Sequence, residues 1–197
     1  PDILVSWSGM QFDQDLSAVT SGLNLNIAPC YKCDAIRDGY VLDPIVFDLD
    51  EHPWANKVFY ELHMYSMSED QDTDHCEAQL YRNGFNALGI KKPEACDIID
   101  DCPDAVREVP VVMTEFGWAQ DPTLLNDTLM NCIKDFTLEH DISWAVWSLA
   151  GSYRIRSGGQ GVDDTWALLD YEWDDWSYPE GIEEFWQPWI EEMHSSG

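Results

Sequence analysis

Glu115 follows the apolar run Val109-Pro110-Val111-Val112-Met113 within Thr114-Glu115-Phe116-Gly117-Trp118. A carboxylate at the end of a buried strand costs free energy unless it is hydrogen-bonded or at work, which makes Glu115 the candidate nucleophile. The competing reading is a Glu paired to a buried Arg for structural reasons. It has few partners to draw on, because the chain holds only Arg37, Arg82, Arg107, Arg154 and Arg156. Along Glu61-Leu62-His63-Met64-Tyr65, period-2 alternation puts Glu61, His63 and Tyr65 on one face and Leu62 and Met64 on the other. Such a row is either the wet face of an ordinary strand or a set of polar groups that can hold a reacting carboxylate and its substrate. It makes His63 and Tyr65 catalytic candidates beside Glu115. Trp147, closing Ser143-Trp144-Ala145-Val146-Trp147, and Trp118 are candidate binding surfaces, since an indole face packs on the C–H face of a sugar ring. A lone Trp is otherwise a core residue. The aspartates of residues 30–54 lack the Asp-x-Asp-x-Asp-Gly loop and distal Glu of a calcium cage, so they read as a solvated face and no metal site is expected.

Positioning these side chains takes strands. Residues 2–7, 57–65, 109–114 and 142–149 are short runs rich in β-branched and aromatic types, and they read as buried strands. Between the last two, Asp121-Pro122 supplies an N-cap and a first-turn proline, and Leu125, Leu129, Cys132, Ile133 and Phe136 recur at helical spacing. Parallel strands require such a crossover, so the expected sheet is parallel with helices packed outside it. Residues 16–23 predict a short helix, and residues 75–88 a longer one carrying Cys76 and Leu80 on one side. Gly151, Gly158, Gly159 and Gly161 mark a long loop, with Asp163 and Asp164 in it at no fixed position, ahead of a hydrophobic stretch at 166–171. Residues 179–193 predict a closing helix with an apolar face of Ile182, Phe185, Trp186, Trp189 and Ile190. Four strand-plus-helix units fill the chain, whereas a (β/α)8 barrel needs eight and usually about 250 residues. The expected class is therefore α/β, half of such a barrel, with raw sheet edges at the first and last strands. Residues 1–197 read as one partial domain.

The 197 residues carry 38 Asp plus Glu against 10 Lys plus Arg, a formal net charge of −28, which excludes a nucleic-acid partner. A hydrophobic fraction of 45% with 24% charged residues is that of a chain able to bury a core. No apolar run approaches the roughly 18 residues of a membrane span, so no membrane partner is expected. The start, Pro1-Asp2-Ile3-Leu4-Val5, has neither a basic stretch nor an initiator Met and reads as a processed or truncated end. Ten Trp, eight Tyr and seven Phe fit a Trp-rich core and a ligand platform equally well. The six Cys and the sequon Asn126-Asp127-Thr128 together point to a secreted, extracellular protein, with Asn126 as the glycan acceptor. Cys30-Tyr31-Lys32-Cys33 reads as disulfide cysteine and not as half a zinc site or a redox motif, and the pairing stays open.

In order, His63-Met64-Tyr65-Ser66, Thr114-Glu115-Phe116-Gly117 and Trp147-Ser148-Leu149 resemble strands six, seven and eight of glycoside hydrolase family 5, the cellulase family. Ser8-Gly9-Met10-Gln11-Phe12-Asp13-Gln14-Asp15-Leu16-Ser17 is similar to the segment after strand five in fungal and plant endoglucanase-type members. Gly151-Ser152-Tyr153-Arg154-Ile155-Arg156, Asp163, Asp164 and Leu168-Leu169-Asp170 are similar to the segment after strand eight. The resemblance implies strands five to eight of the barrel and a retaining hydrolase of β-linked glucan or mannan that uses no metal or organic cofactor. By position, Glu115 would be the nucleophile, His63 and Tyr65 would orient it and the sugar, and Trp147 would be the platform. The family's acid/base is the Glu of an Asn-Glu-Pro motif on strand four, and no Asn-Glu-Pro occurs here; Glu61, Asp163 and Asp164 are poor substitutes. The implied partners are a β-linked poly- or oligosaccharide and the N-terminal half of the barrel. Trp166-Ala167 stands where the family pattern has an aromatic residue and Gly. Two rival readings are a non-catalytic carbohydrate-binding remnant and a structural fragment that folds only with a partner half.

Overall fold

The computed structural model describes residues 3–22, 48–65, 72–99, 102–149 and 164–195. The Cys30/Cys33 pair, Arg37, Arg154, Arg156, Asp163 and most of the acidic excursion lie outside the described residues. Four strands, β1 Val5–Ser8, β2 Val58–Met64, β3 Val111–Phe116 and β4 Trp144–Val146, form one parallel sheet in chain order, with β1 and β4 at its edges. β1 pairs with β2 from Val5↔Val58 to Ser8↔Glu61. Helices Thr73–Asn83 and Thr128–Glu139 make the crossovers from β2 to β3 and from β3 to β4. The predicted α/β class and strand order are those found.

Several boundaries moved, each for a local reason. β1 starts at Val5, because Ile3 and Leu4 are 64% and 76% exposed where the run passes beyond its partner. β3 starts two residues later than the apolar run. Pro110 has no N–H to give a ladder, although its carbonyl accepts the Tyr60 amide at 2.8 Å. Glu115 consequently lies within the strand. The helix before β4 is capped by Asp127, whose Oδ1 accepts the Met130 amide at 2.9 Å, and not by Asp121. Asp121 instead caps a turn through the Thr123 amide at 2.8 Å, and Leu125 falls in the short 3-10 helix Leu124–Asn126. The predicted helix over 75–88 ends at Asn83 and resumes as the 3-10 helix Phe85–Leu88. The closing helix is composite: Pro179–Gly181, a π turn Ile182–Trp186, then Gln187–Ser195. Its buried residues include Phe185, Trp186 and Trp189, while Ile190 is 43% exposed and drops out of the apolar face.

The chain divides into two compact units. The first comprises Pro1–His63 and Glu77–Met113. Its core holds Leu16, Val58, Tyr60, Leu62, Phe85, Ala87, Val109, Val111 and Met113. A satellite cluster of Ala78, Tyr81, Cys96 and Cys102 is closed by the Cys96–Cys102 disulfide. The second unit comprises Met64–Cys76 and Thr114–Gly197. Phe116, Trp144, Trp186 and Trp189 pack ring on ring in it, with Trp144 and Trp189 centroids 4.4 Å apart. The Cys76–Cys132 disulfide joins two of its residues across a sequence separation of 56, which removes about 4 kcal/mol of loop-closure entropy from the unfolded chain in the chain-entropy account. All four described cysteines are thus paired.

Candidate active site

The alternation of β2 is realised in full: Tyr60, Leu62 and Met64 are buried and Phe59, Glu61 and His63 are half-buried. This puts Tyr65 at the strand's end on the polar side, where its hydroxyl donates to Glu115 Oε1 at 2.6 Å. The distance is that of a well-formed O–H···O hydrogen bond. Glu115 itself is half-buried near the end of β3. Its described hydrogen bond comes from this phenol, and of the two described Arg, Arg107 pairs with Asp50.

Two residues beyond Glu115 the chain turns through Gly117, and the turn is built for a close approach. A Cβ on Gly117 would lie 2.2 Å from the Trp147 carbonyl oxygen and 3.2 Å from Trp166 Cε3, so a side chain is excluded. The Trp147 amide donates to the Phe116 carbonyl at 2.6 Å, and the Trp147–Ser148 peptide is cis. The segment after 164 is strapped to both neighbours. Gln120 donates to the Thr165 carbonyl at 2.7 Å and Leu168 to the Ser148 carbonyl at 3.0 Å. Asp164 caps the turn by accepting the Trp166 amide at 3.0 Å. That corrects the expectation that Asp164 has no fixed position: its short side chain bonds the backbone two residues on, a local use that takes it out of contention as an acid.

These bonds gather aromatic rings about Glu115 in the second unit. Trp166 lies 5.5 Å from Tyr65 and 6.4 Å from Trp118, centroid to centroid. Trp118, Trp147 and Trp166 are all half-buried, and Trp118 Nε1 donates to Thr123 Oγ1 at 3.0 Å. Of the ten Trp, Trp186 and Trp189 are buried in the core. Trp166 is the site residue that sequence reasoning passed over. Its signal was present in the hydrophobic stretch after the Gly-rich loop, but only backbone pairing with 147–149 and 118–120 aims it at Tyr65.

The structure brings Tyr65, Glu115, Trp118 and Trp166 together, with Trp147 held against Gly117. His63 belongs to the first unit, where its Nε2 is 3.8 Å from Asp13 Oδ2. Glu61 accepts the Ser8 hydroxyl in the same unit. Asn126 and Thr128 of the sequon are exposed. Of the described acidic residues, Asp170, Asp174 and Asp175 lie close enough to share an ion, and none of them is buried.

No family model matches the chain. A glycosyl hydrolase 5 family protein of Chamaecyparis obtusa is 30% identical over 181 residues, covering 88% of this chain. The chain is related to the glycosyl hydrolase 5 family. It spans about a quarter, 26%, of that relative's length. Two solved cellulases are also similar. One is an endocellulase from Pyrococcus horikoshii in complex with cellotetraose, at a TM-score of 0.47 and 16% identity, covering 92% of this chain and 36% of that one. The other is an endo-β-1,4-glucanase from Xanthomonas axonopodis pv. citri, at 0.47 and 11%, covering 98% and 49%.

Proposed function

We propose that the full-length protein is a retaining glycoside hydrolase of the cellulase type, acting on a β-linked glucan or related polysaccharide, with Glu115 as its nucleophile. The observation that carries this is the Tyr65 hydroxyl on Glu115 Oε1 at 2.6 Å. With one oxygen held by Tyr65, the carboxylate presents the other to an anomeric carbon. When a glycosyl ester forms there, the phenol remains on what has become the carbonyl oxygen. Trp118, Trp147 and Trp166 offer the apolar faces on which pyranose rings stack.

Retention requires a second carboxylic acid about 5 to 5.5 Å from the first, to protonate the leaving oxygen and then activate water. In this reading it comes from the preceding half of the barrel, outside the chain. His63 assists in holding the reacting sugar, as the family resemblance implies. Secretion and a glycan on exposed Asn126 complete the proposal.

The test is made on the full-length protein. Glu115→Gln should abolish turnover while binding survives, because the amide is nearly isosteric but forms no glycosyl-enzyme. Tyr65→Phe removes one charge-assisted hydrogen bond of about 1.5 to 3 kcal/mol, so kcat should fall roughly 10- to 150-fold. Turnover by Glu115→Gln within about tenfold of wild type would remove Glu115 from the nucleophile role. Binding of cello-oligosaccharide without any hydrolysis by the wild type would favour a carbohydrate-binding remnant instead.

A further inference from the structure

The single helical turn Met10–Asp13 after β1 does something that the site so far leaves unused. Phe12 and Asp13 both sit in the left-handed region, at φ 61° and 63°, a conformation that L side chains adopt at a cost. Burying Phe12 does not account for it, since that ring is 84% exposed. The ends of the turn are pinned: the Leu16 amide donates to the Asn83 carbonyl at 2.7 Å, and Asp15 Oδ1 accepts the Ser17 amide at 2.9 Å. What the turn delivers is the Asp13 carboxylate. Asp13 Oδ2 lies 3.8 Å from His63 Nε2, an ion-pair separation, and the two side chains are only 22% and 19% exposed.

We propose that Asp13 is the positioning residue of His63, holding the Nε2 side of the imidazole so that the ring is fixed for the sugar. The catalytic consequence rests on the hydrolase reading, whereas the pairing itself does not. The surroundings of Asp13 are consistent with a carboxylate kept in place by specific partners. Burial raises its carboxyl above the ordinary range, the His63 charge pulls it back, and Glu61 on the same face of β2 pushes it up again. The nearby Gly9 amide and Ser8 hydroxyl favour its charged form. The Ser8 hydroxyl donates to Glu61. The carboxylate and imidazole are thereby an arranged pair, of the kind in which an acid fixes the orientation of a histidine.

Asp13→Asn and Asp13→Gly test this in the full-length protein. Asn and Gly are the residues that best tolerate a left-handed backbone, so both variants keep the turn while removing the charge. In ¹⁵N–¹H spectra at one pH, the His63 Nε2 resonance should move in both variants while amides beyond the turn stay in place. In the same variants kcat should fall by up to roughly a hundredfold, the scale on which a displacement of about 1 Å slows turnover, with KM little changed. An unmoved Nε2 resonance in both variants overturns the pairing, and an unchanged kcat overturns its catalytic role. A wild type without hydrolysis, together with a displaced Nε2 in the variants, would sink the hydrolase reading and leave the Asp13–His63 pair standing.

Discussion

Gly117→Ala adds one methyl group at the tightest place in the candidate site. The new Cβ would stand 2.2 Å from the Trp147 carbonyl oxygen, where ordinary contact begins at 3.4 Å, so one of the two backbones must give by about 1 Å. Neither is free to do so. Trp147 is held by its amide on the Phe116 carbonyl at 2.6 Å, and Trp166 Cε3 waits at 3.2 Å on another side. Overpacking of this kind costs about 1 to 3 kcal/mol. For a chain of this size that lowers the melting temperature by about 2 to 12 °C. If the backbone yields, Trp147 moves against Glu115, and in the full-length protein a displacement of about 1 Å is worth roughly a hundredfold in turnover. Calorimetric melting of the wild type and the variant reads the first effect, and kcat on a soluble cello-oligosaccharide reads the second. A variant that melts within about 1 °C of wild type would refute the close approach of Gly117 to Trp147.

Two further changes probe the scaffold. Asp141 sits at φ 50° just after the helix Thr128–Glu139, with the Ile142 amide bonded back to the Thr137 carbonyl at 2.9 Å, the arrangement that glycine favours at a helix end. Asp141→Gly should therefore stabilise the protein, by up to about 1 kcal/mol in denaturant titration, and a loss of stability would contradict the assigned turn. Burial, with the hydrogen bond to Asp104 and that residue's charge, pushes the Tyr81 phenol up to about 12. An unfolded Tyr loses its proton near 10, so between those values the folded state binds more protons. Its stabilising contribution is complete below pH 10 and is lost as pH rises through 12. Tyr81→Phe should lack this alkaline loss in chemical denaturation across the window, and parallel curves for the two proteins would count against a buried Tyr81.

Most of the architecture was legible because burial writes a period into the sequence. The alternation of Glu61 to Tyr65 survives in the side-chain faces of β2, and the helical spacing of Leu129, Cys132, Ile133 and Phe136 survives in the buried stripe of Thr128–Glu139. Boundaries were less legible, since they depend on which of two plausible caps wins. Asp121 and Asp127 both precede helix-forming residues, and only Asp127 finds a helical amide to accept. Glu115 and Tyr65 were legible as separate residues on separate strands, and their hydrogen bond follows from strand register. Trp166 and Asp13 were not. Each reaches its place through backbone bonds and an unusual turn, which leave no periodic trace.

The proposed role of Glu115 is tested most directly by trapping the covalent intermediate. A 2-deoxy-2-fluoro cello-oligosaccharide with a good leaving group slows both steps of a retaining hydrolase and lets the glycosyl-enzyme accumulate. Peptide mass spectrometry of the labelled full-length protein should find one added glycosyl group, on the peptide carrying Glu115, and none in Glu115→Gln. A label on another carboxylate, or steady turnover of a cello-oligosaccharide with inversion at the anomeric carbon, would contradict the assignment.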